Sequence, residues 1–182
     1  MRILAALLSL SAVALAGNVP PVIKASPDFT VTEPSGKQIT LASQRGKVVV
    51  LTFMFTTCPH CQAEAQMLTR ILKEMGPRGL SVLGVAFNDN ASVLVPGFVQ
   101  QYNVGFPVGA AERQTVLNYL GISEMVRWVV PQVVVIDRKG NIRAQSPPQG
   151  DPNLQTESYM RDLLDTLLKE PAGAAARKTS HR

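Results

Sequence analysis

Cysteine is scarce in this sequence. Its 182 residues hold two, Cys58 and Cys61, both inside the stretch FMFTTCPHCQAEAQML. A bridge between them is a poor staple, because closing a four-residue ring is worth only about 2 kcal/mol in lost unfolded-chain entropy and strain can erase it. Histidine is equally sparse, with His60 and His181 alone, the latter next to the last residue. A closed zinc site wants four ligands and does not find them here. What the scarcity leaves is a pair of thiols that cycles between dithiol and disulfide, ranked above metal binding and above a passive bridge.

The chain also lacks a hydrophobic run of membrane-spanning length. Its longest apolar and small-residue run, Ile3 to Ala16, has 14 residues, against the roughly 20 that a spanning helix needs. Arg2 precedes the run and Ala14-Leu15-Ala16 closes it, the basic start and A-x-A end of a secretory signal peptide. An uncleaved anchor is the alternative reading. No cysteine follows the run, so a lipid attachment there is not expected. The expected organisation is a signal peptide over 1–16, a Pro-rich linker over 17–25, one domain over 26–170, and a disordered basic tail over 171–182. The protein is expected to be exported, to a periplasmic or other extracytoplasmic space, with no membrane insertion after cleavage. Disulfides persist there, so a C-x-x-C pair can work in either direction.

Basic clustering is missing as well. The formal charge is +5, but Arg2 leaves with the signal and Arg177, Lys178 and Arg182 crowd into the tail, which leaves the remainder near +1. No basic stripe with interleaved aromatics is visible, so nucleic acid is not an expected partner. A single C-x-x-C gives no reason to require a dimer, and a monomer is expected.

What is present alternates strand and helix patterns. FTVTEPSGKQITL reads as a hairpin around Pro34-Ser35-Gly36. KVVVLTFMF (47–55), LSVLGVAF (80–87) and PQVVVID (131–137) are β-branched runs of the kind found in strands buried on both faces. From Pro59 the period becomes helical through Met67, Leu68, Ile71, Leu72 and Met75, until Gly76-Pro77 stops it. SVLVPGFVQQYN predicts a weaker helix interrupted by Pro96 and Gly97, GFPVG a very short strand, and ERQTVLNYLG another helix. Asp137 to Gly140 turn the chain into NIRAQS, and a last helix spans about Glu157 to Lys169. The sum is one α/β domain with a central mixed β-sheet flanked by helices.

Only a thiolate attacks a disulfide, so Cys58 must shed its proton near neutral pH. It stands where a buried strand ends and a helix begins, and the positive end of that helix stabilises an anion. Pro59 suits the first helical position, where a missing N–H costs nothing. His60 adds a charge or a hydrogen bond to the sulfur, or is a surface imidazole filling the turn. Cys61, one turn further in, suits the resolving role. Glu64 falls on the inward helix face, where a desolvated carboxyl with a raised pKa could exchange a proton with Cys61; favourable placement near a helix start is the equal alternative. Pro131 opens a strand that would otherwise be central and cannot donate to a ladder. A cis Val130–Pro131 bond beside the turn would leave the Val130 backbone free to pair with an incoming peptide. Trp128 packs in the core or lines that groove. Stabilising the Cys58 thiolate favours the dithiol and makes the disulfide a better oxidant.

The strand–CPHC–helix unit, the long gap after it and VVPQVVVIDRKGNI resemble the thioredoxin superfamily, and within it the exported TlpA/ResA-like, redoxin-related branch, over about residues 26 to 170. The resemblance implies a thioredoxin-like fold with an N-terminal β-hairpin, an inserted segment before the third long strand, and Pro131 as the family's cis-proline. It implies a thiol–disulfide oxidoreductase with Cys58 and Cys61 as its redox disulfide, Glu64 as catalytic acid–base, and Val130 and Pro131 toward substrate. Protein thiols and disulfides and an upstream redox partner are the implied partners, with no cofactor and no metal. Thr57 stands where the family usually has Trp, and Gln66 where a proline is frequent. Pro59-His60 and Val130 look like DsbA, the oxidising branch, whose helical insertion exceeds the stretch between Asn88 and Val130. Thr52 takes the place of thioredoxin's buried aspartate. Two other readings carry less. A peroxiredoxin would have Thr or Ser three residues before its cysteine and a proline further upstream, where this chain has Phe55 and Leu51. An SCO-like copper chaperone would space its cysteines one residue wider and need a late histidine.

Overall fold

Over residues 20–171, the part that the computed structural model describes, the β-branched runs become strands and the segments of helical period become helices. In chain order these are β1 (Lys24–Ala25), β2 (Thr30–Thr32), β3 (Gln38–Thr40), β4 (Val48–Met54), α1 (Pro59–Met75), β5 (Leu80–Ala86), α2 (Ala91–Gln101), β6 (Val108–Ala110), α3 (Arg113–Leu120), β7 (Gln132–Ile136), β8 (Asn141–Gln145) and α4 (Glu157–Lys169). The expected signal peptide and the tail from residue 172, with His181, lie outside the described residues. Among the described residues no helix is long and apolar enough to cross a membrane.

The strands form one mixed sheet in the order β1-β8-β7-β4-β5-β6-β2-β3. β4 runs parallel to β5 and β5 to β6, while β7 pairs antiparallel with β4, and β8 with β7. β4 lies between its two long partners with all seven residues buried, so its side chains feed two cores. Val48, Val50 and Met54 face α1, α2 and α4, and Val49, Leu51 and Phe53 face α3 with Phe29 and Val31. The period-2 alternation of a strand dictates this split.

The N-terminal hairpin is present, with β2 and β3 joined through a turn at Gly36, whose φ of 84° suits a residue without Cβ. β2 then pairs with β6 so closely that a Cβ on Gly109 would come within 2.5 Å of the Thr32 carbonyl oxygen. The pair β6 and α2 is the segment inserted between β5 and α3.

Two details differ from the sequence expectations. Residues 20–25, expected within a linker, lie against the sheet: β1 pairs with β8, and the Ile23 N–H donates to the Ile142 carbonyl at 2.8 Å. Two-residue strands carry no periodicity to read. The helix expected to break at Pro96 and Gly97 runs through both as α2. Pro96 lies in its second turn on the solvent side, so the Ser92 carbonyl that loses its partner sits on an exposed residue and can be hydrated.

Candidate active site

β4 ends at Met54, and four residues later Cys58 caps α1 in extended conformation (φ −87°, ψ 122°) with Pro59 as the first helical residue. The Cys58 N–H donates to the Phe55 carbonyl at 3.1 Å, and its own carbonyl accepts from Gln62 N–H at 3.0 Å. The turn is held from the side. Asn88 Oδ1 accepts from both the N–H (2.9 Å) and the hydroxyl (3.3 Å) of Thr56, and Gln62 Nε2 donates to the Thr56 carbonyl at 3.0 Å. No side chain caps the first turn, so its unbonded N–H groups and the partial positive charge of the helix start lie next to Cys58, the N-cap residue.

The two thiols are placed unequally. Cys58 is half-buried, and Cys61 is fully buried. Burial pushes the Cys61 thiol far up, against a backbone hydrogen bond at Phe55 that lowers it, and the neighbouring Cys58 and Glu64 charges push it further. Only Cys58 offers its sulfur to a partner.

Cys61 and Glu64 share the inward face of α1 with Ala65 and Leu68, three or four residues apart. Glu64 is 4% exposed, and the Thr52 hydroxyl donates to its Oε2 at 2.6 Å. Burial pushes its carboxyl up to about 7, with the Thr52 hydrogen bond opposing that rise. Its Oε1 is buried without a hydrogen-bond partner among the described residues. A carboxyl poised near neutrality beneath a buried thiol can take that thiol's proton.

The Val130–Pro131 bond is cis, and the Val130 carbonyl oxygen lies 4.0 Å from Cys58 Sγ. Trp128 is half-buried, and its ring packs on Phe55 and Phe87 at 6.0 and 5.7 Å between centroids, as the core-packing expectation has it. Arg113 lies over the same ring, 6.0 Å from its centroid. His60 is exposed, and among the described residues it makes no hydrogen bond to the sulfur or to any other group. Pro59 is exposed beside it.

Sequence reasoning assembled Cys58, Cys61, Glu64, Val130 and Pro131 in one place. It missed the Thr52–Glu64 pair, although a lone hydroxyl in a strand buried on both faces is a signal, since such a group needs a partner. It also missed Asn88, whose partner Thr56 is distant in sequence, and Gln132, which joins nearby Val129 to the more distant Pro147 and Pro148. Among the described residues no group of three or more His, Cys, Asp or Glu is arranged to hold a metal ion.

Compared with known proteins, residues 22–145 match the AhpC/TSA family. The chain is 29% identical over 140 residues to the thiol-disulfide oxidoreductase ResA of Bacillus thuringiensis strain Al Hakam, covering 77% of each chain. Among solved structures it superposes with TM-score 0.66 on a thiol:disulfide interchange protein of the thioredoxin family from Chlorobium tepidum, 23% identical, covering 84% of this chain and 99% of that one. A secreted Mycobacterium tuberculosis disulfide oxidoreductase homologous to E. coli DsbE gives TM-score 0.59 at 24% identity over 76% of this chain and 96% of that one. These likenesses establish the thioredoxin-like fold.

Proposed function

The chain belongs to the AhpC/TSA family, and from that premise we propose how its two thiols are used. It is a thiol–disulfide oxidoreductase that exchanges disulfides with protein thiols, as the similarity to ResA supports. The observation that carries the mechanism is the stacking of half-exposed Cys58, buried Cys61 and buried Glu64 along the first turns of α1.

In the reducing direction, the Cys58 thiolate attacks a substrate disulfide, forms a mixed disulfide and releases one substrate thiol. Cys61 then gives its proton to Glu64 and attacks the Cys58 sulfur. The second substrate thiol leaves, the Cys58–Cys61 disulfide closes, and two electrons have passed to the substrate. The oxidising direction runs the same steps backward. The Val130–Pro131 segment beside Cys58 receives the substrate chain, with Trp128 behind it. Pro59 starts the helix at the first position, and His60 follows it on the solvent side of the turn. An upstream dithiol or disulfide protein resets the pair, and no cofactor takes part.

The apolar segment Ile3 to Ala16 after Arg2 supports export to an extracytoplasmic compartment, with the protein working there as a monomer. Peroxide chemistry, suggested by the family's redoxin kinship, finds no hydroxyl three residues before Cys58: Phe55 stands there, its ring packed on Phe87 and Trp128.

Substitution at the two cysteines tests the order of events. Cys58→Ser should abolish exchange with a disulfide substrate, while Cys61→Ser should accumulate mixed disulfides visible on non-reducing gels. Parent-like turnover by Cys58→Ser would overturn the mechanism.

A further inference from the structure

Gln132 is fully buried at the start of β7, immediately after Pro131. Its Nε2 lies 2.9 Å from the Val129 carbonyl oxygen, 3.2 Å from that of Pro147 and 3.1 Å from that of Pro148. An amide NH2 has two hydrogens, so three carbonyls saturate it. The orientation is dictated, because turning the amide over would set its oxygen against three carbonyl oxygens. The Oε1 is buried with no partner among the described residues. An orphaned acceptor costs free energy that a methionine of similar size would not incur. The benefit of this side chain therefore lies with the loops it joins.

Those loops are the segment that reaches Cys58 and the turn after β8. Val129 is tied at both of its backbone groups, its carbonyl to Gln132 and its N–H to the Pro148 carbonyl at 2.9 Å. The turn is pinned in its own right by Ser146, whose N–H donates to the Val133 carbonyl at 2.9 Å and whose Oγ accepts from Val133 N–H at 3.1 Å. The next residue, Val130, is free of such ties. Its carbonyl faces Cys58 Sγ, and its N–H has no partner among the described residues. The Val129 carbonyl and the Val130 N–H belong to one peptide, so the bond to Gln132 fixes that peptide's plane and leaves its N–H on the opposite side, while the next carbonyl, that of Val130, stands beside the sulfur.

We propose that Gln132 is a positioning residue for protein substrates: by fixing the Val129 carbonyl to the turn after β8 it presents the Val130 backbone next to Cys58 as a short edge for an extended, cysteine-bearing segment to pair with. The inference rests on the thiol–disulfide reading above and adds a determinant of substrate class. A peptide disulfide uses both the sulfur and the Val130 edge, whereas a small disulfide without peptide groups uses the sulfur alone.

The test compares second-order rates of oxidation of the reduced full-length protein by hydroxyethyl disulfide and by an extended peptide carrying a mixed disulfide at its middle. In Gln132→Met the peptide rate should fall about tenfold more than the hydroxyethyl disulfide rate, because the edge is no longer pre-organised. Equal losses with both substrates would mark a structural role only, and no loss with either would mean the loop holds itself; each overturns the proposal. If Gln132→Met does not fold, Gln132→Glu keeps the side chain's shape and, when protonated, one donor, and the same ratio is read. A parent protein that reacts with neither disulfide would overturn the redox reading itself, a result distinct from any loss in the variants.

Discussion

Glu64 is buried at the expense of stability. Its carboxyl titrates near 7 in the fold against an ordinary 4.5. The folded-state value is the higher one, so the folded protein holds a proton that the unfolded chain gives up between those pH values. Stability associated with this group is therefore complete below about pH 4.5 and declines as pH rises toward 7. At 1.36 kcal/mol per pH unit the loss amounts to about 3 kcal/mol. Glu64→Gln removes the titration while keeping an acceptor for Thr52, so it should stabilise the fold by about 2–3 kcal/mol at pH 8 and negligibly at pH 4. Urea unfolding of parent and variant at the two pH values measures this. A difference that does not depend on pH would show that burial does not hold the proton on Glu64. Retaining such a group under Cys61 fits a task in proton transfer better than a favourable dipole contact, which an exposed carboxylate would supply without the penalty.

At the scale of elements, the long segments were legible and the ties between them were not. The central strands and α1 announced themselves because seven-residue β-branched runs and a 3.6-residue period are dense local signals. The C-x-x-C pair was legible from the scarcity of cysteine and histidine, and the cis bond at Pro131 chiefly through resemblance. Nothing local, however, reports that Arg143 on β8 gathers the two ends of the described chain. Its guanidinium donates to the Pro20 carbonyl, to Asp137 Oδ2 at 3.3 Å and to Glu170 Oε2 at 2.7 Å. Asp137 also accepts from the N–H groups of Lys139 and Asn141, both at 2.9 Å, which fixes the β7–β8 turn. A buried cation with partners far before and after it in sequence is invisible to pattern reading, and so was the attachment of residues 20–25. Arg143→Ala strips the charge partner from a buried Asp137 that keeps its two backbone donors, so it should cost about 2–3 kcal/mol, below the usual range for breaking a buried pair. The Ile23 N–H should also exchange faster with solvent, since β1 loses the anchor at Pro20. A loss under about 0.5 kcal/mol would place this cluster among surface pairs of little weight.

For the whole molecule the open quantity is the direction in which electrons flow, and that is a comparison of two folded states. Every contribution that stabilises the dithiol relative to the disulfide makes the disulfide a stronger oxidant, by about 30 mV for each 1.4 kcal/mol. The uncapped start of α1 acts at Cys58 in this sense, because a thiolate there gains from the helix dipole and a disulfide sulfur does not. Burial of Cys61 and Glu64 acts otherwise, since it keeps the second thiol protonated and leaves only one sulfur to benefit. His60, exposed and not bonded to the sulfur, adds little. The helix start then dominates, and the pair should lie on the oxidising side of thioredoxin's value of about −270 mV, toward the roughly −120 mV of DsbA. Equilibration of the protein in glutathione buffers gives the potential, and thermal melts of the two redox forms give an independent sign: the dithiol protein should melt at the higher temperature. A potential at thioredoxin's value together with a more stable disulfide form would mean that the buried Cys61–Glu64 pair outweighs the helix, and that the protein removes disulfides rather than delivering them.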